Sequence, residues 1–335
     1  MAKVDVLFLS EEDVVACAPS VEETRKIIED VFKAHAGDQV VMPTKILLKP
    51  PEKYKGHWNA MPAFVQTSNG DIGGIKWLSS YLDNLERLKL PNIVAIIVIN
   101  ESATGFPLAI MDGTYITGLR TAAAVAAGAK YLARLDSSTV AIIGTSVQGR
   151  FQLAGICEAF NIKRVVAYDI VEETLGKYVF EMSPKVGIQI EKASSHSEAI
   201  LNADIVINAT RTKEPFFKGE WCRPGMLIVS IGSRPELMED VVERADKIVV
   251  DHWEGCKHLG SLKPFAEEGI VKHVYAEIGQ VVASQKPGRE SDEEIIIYVP
   301  MGMGTEDMAT AYKVYMNAVA AKRGMTLNLC GTYGT

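Results

Sequence analysis

The stretch TVAIIGTSVQGRFQLAG, residues 139–155, decides the fold. An apolar run ends at Gly144, a tight turn follows, and a helix pattern starts at once. A strand, a glycine turn and a helix in that order begin a dinucleotide-binding unit. The usual loop is G-x-G-x-x-G. Its first glycine makes the turn, its second admits the pyrophosphate to the backbone, and its third lets helix and strand pack closely. Gly144 and Gly149 supply the first and third glycines, with Val147 and Gln148 between Ser146 and Gly149. Ser146 stands in the second place. It serves there only if its backbone avoids positive φ and its hydroxyl faces the phosphate. The helix start behind it still offers N–H groups and a positive dipole end.

The next strand, RVVAYD, ends in Asp169. A carboxylate there can bind both ribose hydroxyls of NAD and repels the 2′-phosphate of NADP. NAD is therefore the expected cofactor and NADP the less favoured one. From 139 to about 300 strands and helices keep alternating, through DIVINAT, GMLIVSIG, KIVVDH and EIIIYVP. Alternation on that scale implies a doubly wound parallel sheet with helices on both faces.

Residues before 119 have another texture. A helix is predicted at PSVEETRKIIEDVFKAHAG, with Ser20 and Glu23 as a capping box and Gly37 as its stop. Strand patterns follow, the longest being IVAIIVI at 93–99. A small-residue helix, TYITGLRTAAAVAAGAKYLARL, is able to pack closely against a neighbour, and TEDMATAYKVYMNAVAAKRG closes the chain. The expected organisation is an α/β chain. Residues 119–311 form a Rossmann domain, and residues 1–118 with 312–335 form a second, α+β domain.

The 335 residues suit two domains, with 47% hydrophobic and 23% charged residues. A net charge of −7 argues against nucleic acid or an anionic membrane as partner. The longest apolar runs fall short of the ~20 residues that span a bilayer. Five scattered cysteines without a C-x-x-C read as reduced thiols in a cytoplasm. The stretch DHWEGCKH offers His252, Cys256 and His258, but without a second ligand pair nearby no metal site is expected.

Two cations stand out. Lys76 lies among Ile75, Trp77 and Leu78 beside a Gly-Gly pair, and desolvation there lowers a lysine's pKa toward the acid–base range. Arg120 sits on the small-residue helix and needs an anionic partner, either a substrate carboxylate or an internal carboxylate. Lys45, in MPTKILL, faces the same choice. Glu306 and Asp307 open the last long helix, where capping and the helix dipole are their expected roles.

Taken with AMPAF (60–64), GIKWLSSYLDN (74–84), the run from Thr104 to Arg134, PGRESDEEI (287–295) and MGMGTEDMATAYKVY (301–315), these residues resemble the ornithine cyclodeaminase/mu-crystallin family. The resemblance covers nearly the whole chain. It implies that the N-terminal segment and final helix form a substrate and dimerisation domain, giving a homodimer. It further implies NAD-dependent hydride transfer at a carbon bearing an amine or imine. Lys76 would contact the substrate nitrogen and handle protons, while Arg120 and Lys45 would hold carboxylate. Asn92, Arg120, Thr210, Ser230, Ile231, Gly232 and Met301 would line the cofactor with Gly144, Ser146, Val147, Gln148, Gly149 and Asp169. Asp307 would add a positioning role to its capping one.

One departure matters. Cyclodeaminase and alanine dehydrogenase-like members carry a catalytic aspartate in a longer loop after the strand that here reads IVSIG. This chain has GSRPELMEDVV, with Glu236 the nearest carboxylate. DHWEGC, AEIGQVV, PMGM and the TLNL ending resemble a subgroup of dehydrogenases that act on N-((2S)-2-amino-2-carboxyethyl)-L-glutamate. Alternatives are ornithine cyclodeaminase or alanine dehydrogenase-like activity, or a mu-crystallin-like cofactor-binding protein with little turnover.

Overall fold

The computed structural model describes residues 4–330. Its chain divides into two units, 1–120 with 303–335 and 121–302. The divisions fall inside the Thr114–Leu132 helix and just before the Gly304–Ala321 helix, so that the last helix lies wholly with the first unit.

The first unit is built on an eight-stranded mixed sheet. Its order is Met325–Cys330, Val4–Leu9, Pro107–Asp112, Ile93–Glu101, Gly70–Ser80, His57–Thr67 and Val40–Val41, with Ile46–Leu48 also pairing His57–Thr67. Only Val4–Leu9 and Pro107–Asp112 run parallel. The helices Glu11–Cys17, Val21–Ala36 and Gly304–Ala321 pack with this sheet. Val21–Ala36 starts with the expected capping box of Ser20 and Glu23. Its buried residues Ile27, Val31 and Ala34 join Val65, Ile72, Ile97, Ile99 and Met308 in one apolar cluster. Such burial stabilises by about 1.5–3 kcal/mol per large aliphatic side chain.

The terminal strand Met325–Cys330 pairs antiparallel with Val4–Leu9. The sequence reading expected only a helix to return to this unit. The strand is short and depends on a partner at the other end of the chain, so local pattern gives it little signal.

The second unit carries an eight-stranded parallel sheet. Its order is Ile190–Lys192, Arg164–Tyr168, Thr139–Ile143, Ile205–Asn208, Leu227–Ser230, Ile296–Val299, Lys247–Val250 and Ala276–Glu277. The chain steps outward from Thr139–Ile143, then crosses back to its other side at Ile205–Asn208. That reversal makes the topological switch point, where ligands bind beyond the strands' carboxyl ends. Ile296–Val299, late in sequence, inserts between two earlier strands.

The small residues of Thr114–Leu132 are explained within this unit. A Cβ on Gly128 would lie 2.5 Å from the Tyr298 ring. A Cβ on Gly155, in Val147–Ala159, would lie 3.0 Å from the Ala122 carbonyl oxygen. Among the described residues no helix is long and apolar enough to cross a membrane.

Candidate functional site

The first unit gathers four charged side chains that are far apart in sequence. Lys76 lies on Gly70–Ser80, opposite Met61 and Ile97, and its side chain is fully buried. The neighbouring Gly-Gly pair has a steric purpose. A Cβ on Gly74 would fall 2.1 Å from the Val98 carbonyl oxygen and 2.8 Å from Met308 Sδ. A Cβ on Gly304 would meet Ala63 Cβ at 3.0 Å. Glycines therefore let the Gly304–Ala321 helix press against the strands that carry Lys76.

That approach brings Asp307 Oδ2 to 2.7 Å from Lys76 Nζ. Thr117 and Arg120, three residues apart and so on one helix face, reach the same place. Lys76 Nζ donates to Thr117 Oγ1 at 3.2 Å. Arg120 donates through Nε to Asp307 Oδ1 at 2.9 Å and through Nη1 to Glu306 Oε2 at 2.8 Å. Both carboxylates are wholly buried. The internal carboxylate, one of the two partners open to Arg120 in sequence, is thus the one it meets here.

The electrostatics follow from burial. Desolvation pulls Lys76 down to about 7, against the opposing charge of Asp307 and with the help of Arg120. Burial also acts to lower Arg120, but Asp307 and Glu306 together raise it above its ordinary value. A lysine that gains and loses its proton near neutrality can serve as acid or base.

The expectation of capping needs correction for Asp307. Glu306 does accept from the Met303 backbone at 3.3 Å, which makes it part of a capping box. Asp307 instead turns to Lys76 and Arg120. Two buried cations reward a carboxylate more than a helix start does. Thr117 was missed by sequence reading, although its place one turn before Arg120 was a usable signal.

The second unit holds the glycine loop at its switch point. Gly144 has φ +91°, and a Cβ there would lie 2.6 Å from the Ala209 carbonyl oxygen. A Cβ on Gly149 would lie 2.4 Å from the Gly144 carbonyl oxygen. Ser146 has φ −75° and ψ −156°, extended backbone that needs no glycine. It is the N-cap of Val147–Ala159 and makes no side-chain capping bond. The serine in place of the second glycine is therefore free of backbone strain.

Asp169 does more than close its strand. Its Oδ2 accepts from the Thr145 backbone and hydroxyl at 2.8 and 2.9 Å, and its Oδ1 accepts from Val171 N at 3.0 Å. Three donors thus aim the carboxylate and bolt it to the glycine loop. Four lone-pair sites on a carboxylate still leave capacity for a ribose hydroxyl.

Thr210 and Ser230 spend their hydroxyls on Glu236, at 2.6 and 2.5 Å. Glu236 is fully buried, and burial raises its pKa against the pull of these bonds. It ties the ends of Ile205–Asn208 and Leu227–Ser230 together through the Thr210 and Ser230 hydroxyls. Ile231 and Gly232 follow on the same turn, where the Gly232 amide lies 3.4 Å from Glu236 Oε2. Met301 packs where a Cβ on Gly260 would meet its sulfur at 2.5 Å. Asn92 belongs to the first unit, and its Oδ1 accepts from Leu85 N at 2.8 Å. Lys45 is partly buried in the first unit, close enough for its charge to act on Lys76.

His252, Cys256 and His258 do not converge. Cys256 Sγ donates to Asp251 Oδ1 at 3.3 Å and to the Val299 carbonyl at 3.4 Å. Among the described residues no three His, Cys, Asp or Glu side chains are grouped to hold a metal.

Comparison with known proteins adds three findings. The model of the ornithine cyclodeaminase/mu-crystallin family matches residues 5–322. The Staphylococcus aureus N-((2S)-2-amino-2-carboxyethyl)-L-glutamate dehydrogenase is 32% identical over 97% of this chain and 99% of its own. Two solved structures superpose over nearly everything. The Thermococcus litoralis Delta(1)-pyrroline-2-carboxylate reductase, in complex with NADH and L-proline, has a TM-score of 0.91 and 35% identity, covering 96% of this chain and 100% of its own. An archaeal alanine dehydrogenase dimer with bound NAD has a TM-score of 0.90 and 36% identity, covering 97% and 100%.

Proposed function

The chain belongs to the ornithine cyclodeaminase/mu-crystallin family, and on that premise we infer that it is an NAD-dependent oxidoreductase acting on the C–N bond of an amino or imino acid. Hydride transfer from Cα gives an imine, which water converts to a keto acid. The reverse direction reduces a ketimine. The observation that carries this reading is the buried lysine Lys76, tuned to about 7 and held beside Thr117 and Asp307.

The glycine loop, Asp169 and the start of Val147–Ala159 would hold NAD, which when bound supplies the hydride acceptor. The chain's own groups do the rest. Neutral Lys76 takes a proton from the substrate nitrogen, and protonated Lys76 returns one to the imine. Arg120, whose Nε and Nη1 are committed to Asp307 and Glu306, would offer its remaining nitrogen to a substrate carboxylate. Lys45 would hold the same or a second carboxylate. Fixing carboxylates orients the reacting carbon, which is worth several kcal/mol of barrier. The likeness to the S. aureus enzyme favours an N-carboxyalkyl amino acid as substrate.

The outer face of the first unit's sheet supports a homodimer. Trp58 and Trp77 stack there at 6.3 Å. Phe8, Val94 and Ile96 lie more than two-fifths exposed, and Leu327 45%. A contiguous apolar sheet face of this kind marks a protein interface, and a second copy would cover it. Light scattering that gives the mass of a monomer would remove this part of the reading. The free thiols Cys17, Cys157, Cys222 and Cys256 suit the reducing cytoplasm, where we place the protein.

The test is formation of the reduced nicotinamide across L-amino acids and N-carboxyalkyl amino acids, with NAD and NADP side by side. We expect turnover with NAD and release of a keto acid. In the same assay Asp169→Ala should weaken NAD about 10- to 100-fold, the loss of one or two charge-assisted hydrogen bonds. NADP should change less, because the carboxylate that repels its phosphate has gone. Equal weakening of both would take Asp169 out of the ribose site and leave it only its bonds to the loop.

A further inference from the structure

Glu236 accepts from the Thr210 and Ser230 hydroxyls in the second unit. The carboxylate that stands nearest Lys76 comes from another element. Asp307 sits on the last long helix, brought in by the glycine contacts at Gly74 and Gly304. Its Oδ1 is fixed by Arg120. Its Oδ2 lies 2.7 Å from Lys76 Nζ, an ion pair in a fully buried place.

We propose, resting on the reading above, that Asp307 is the positioning residue that holds the proton on Lys76 and thereby sets the pH at which the acid–base step reverses. The proton balance is simple. In the oxidative direction the substrate's protonated nitrogen loses an N–H bond and neutral Nζ gains one. The new ammonium faces the Asp307 carboxylate. In the reductive direction the same N–H bond on Nζ breaks and one forms on the imine nitrogen.

The charges facing Lys76 are few. Asp307 comes from the last helix, Arg120 from Thr114–Leu132, and Lys45 from the segment before Ile46–Leu48. Glu306 lies behind Arg120 and bonds to it. With Lys76 protonated, the quartet of Lys76, Arg120, Glu306 and Asp307 is neutral. Without that proton it is singly negative, and only Asp307 touches Lys76 directly. Asp307 therefore opposes the desolvation that drives the proton off.

The test compares Asp307→Asn with Asp307→Glu. In the wild type, kcat/KM for amine oxidation should rise with pH through about 7, as Lys76 becomes neutral. In Asp307→Asn that limb should move down by about one to two pH units, because a neutral amide no longer favours the ammonium. In Asp307→Glu it should return close to its wild-type position, even if kcat falls. A limb that stays put in Asp307→Asn overturns the proposal, since a purely structural role would lower the rate without moving the profile. Nuclear magnetic resonance of the wild-type protein needs no variant to fold. The Asp307 carboxyl carbon should shift at the same pH as Lys76 Nζ titrates, and a flat carboxyl signal across that transition also overturns the proposal. If no amine or imine is turned over, the functional reading fails, while this titration still judges the pair.

Discussion

Lys76→Ala should lower kcat/KM for amine oxidation by about 10²- to 10⁴-fold, the range that a positioned general acid–base group supplies. Lys76 is fully buried, is tuned to about 7, and has Thr117 and Asp307 as its partners. Truncation therefore removes the proton acceptor together with the limb near neutrality. The sign of that limb is set by direction. Oxidation needs the neutral amine, so its rate rises with pH through the lysine's titration. Reduction needs the ammonium, so its rate falls there. NADH binding, read by fluorescence, should survive the substitution, because the loop residues Gly144–Gly149 and Asp169 belong to the second unit. Turnover within threefold of the wild type would end the catalytic reading of Lys76. Survival of the limb in Lys76→Ala would assign it to some other group.

Arg120→Ala should have the largest effect on stability, about 3–5 kcal/mol, because it removes the guanidinium that pairs with two buried carboxylates. Arg120 is the partner of both Glu306 and Asp307, and the side chains of both are fully buried. Lys76 alone would be left beside them, and it touches only Asp307. Urea denaturation should show the loss as a lower midpoint. Arg120→Lys keeps the charge but not the fork that spans two acids, so it should recover only part of the loss. A change below 1 kcal/mol in Arg120→Ala would mean that the acids have other partners of equal strength.

Much of the second unit was legible before any coordinates. The alternation of apolar runs and helix patterns, the Gly144 turn and the terminal Asp169 are all short-range signals. They depend on neighbours within a few residues, which a linear reading sees. The capping box at Ser20 and Glu23 is of the same kind. Even the replaced glycine was decidable in form, since only a positive φ at residue 146 would have forbidden serine, and the backbone there is extended.

The sequence by itself therefore determined the class of fold, the place of the glycine loop and the cations worth watching. Which acid each cation would meet was settled only by tertiary structure. Lys76, Thr117 with Arg120, and Glu306 with Asp307 lie on a strand and two helices far apart in the chain. Their meeting depends on how closely a helix approaches a sheet, and Gly74 and Gly304 permit that approach through the Cβ atoms they lack. The same holds for Glu236. As a letter in the chain it was a candidate acid. Once folded, its carboxyl group is enclosed by Thr210, Ser230 and Gly232, because a buried polar group is tolerable only where hydrogen bonds replace the water it gave up.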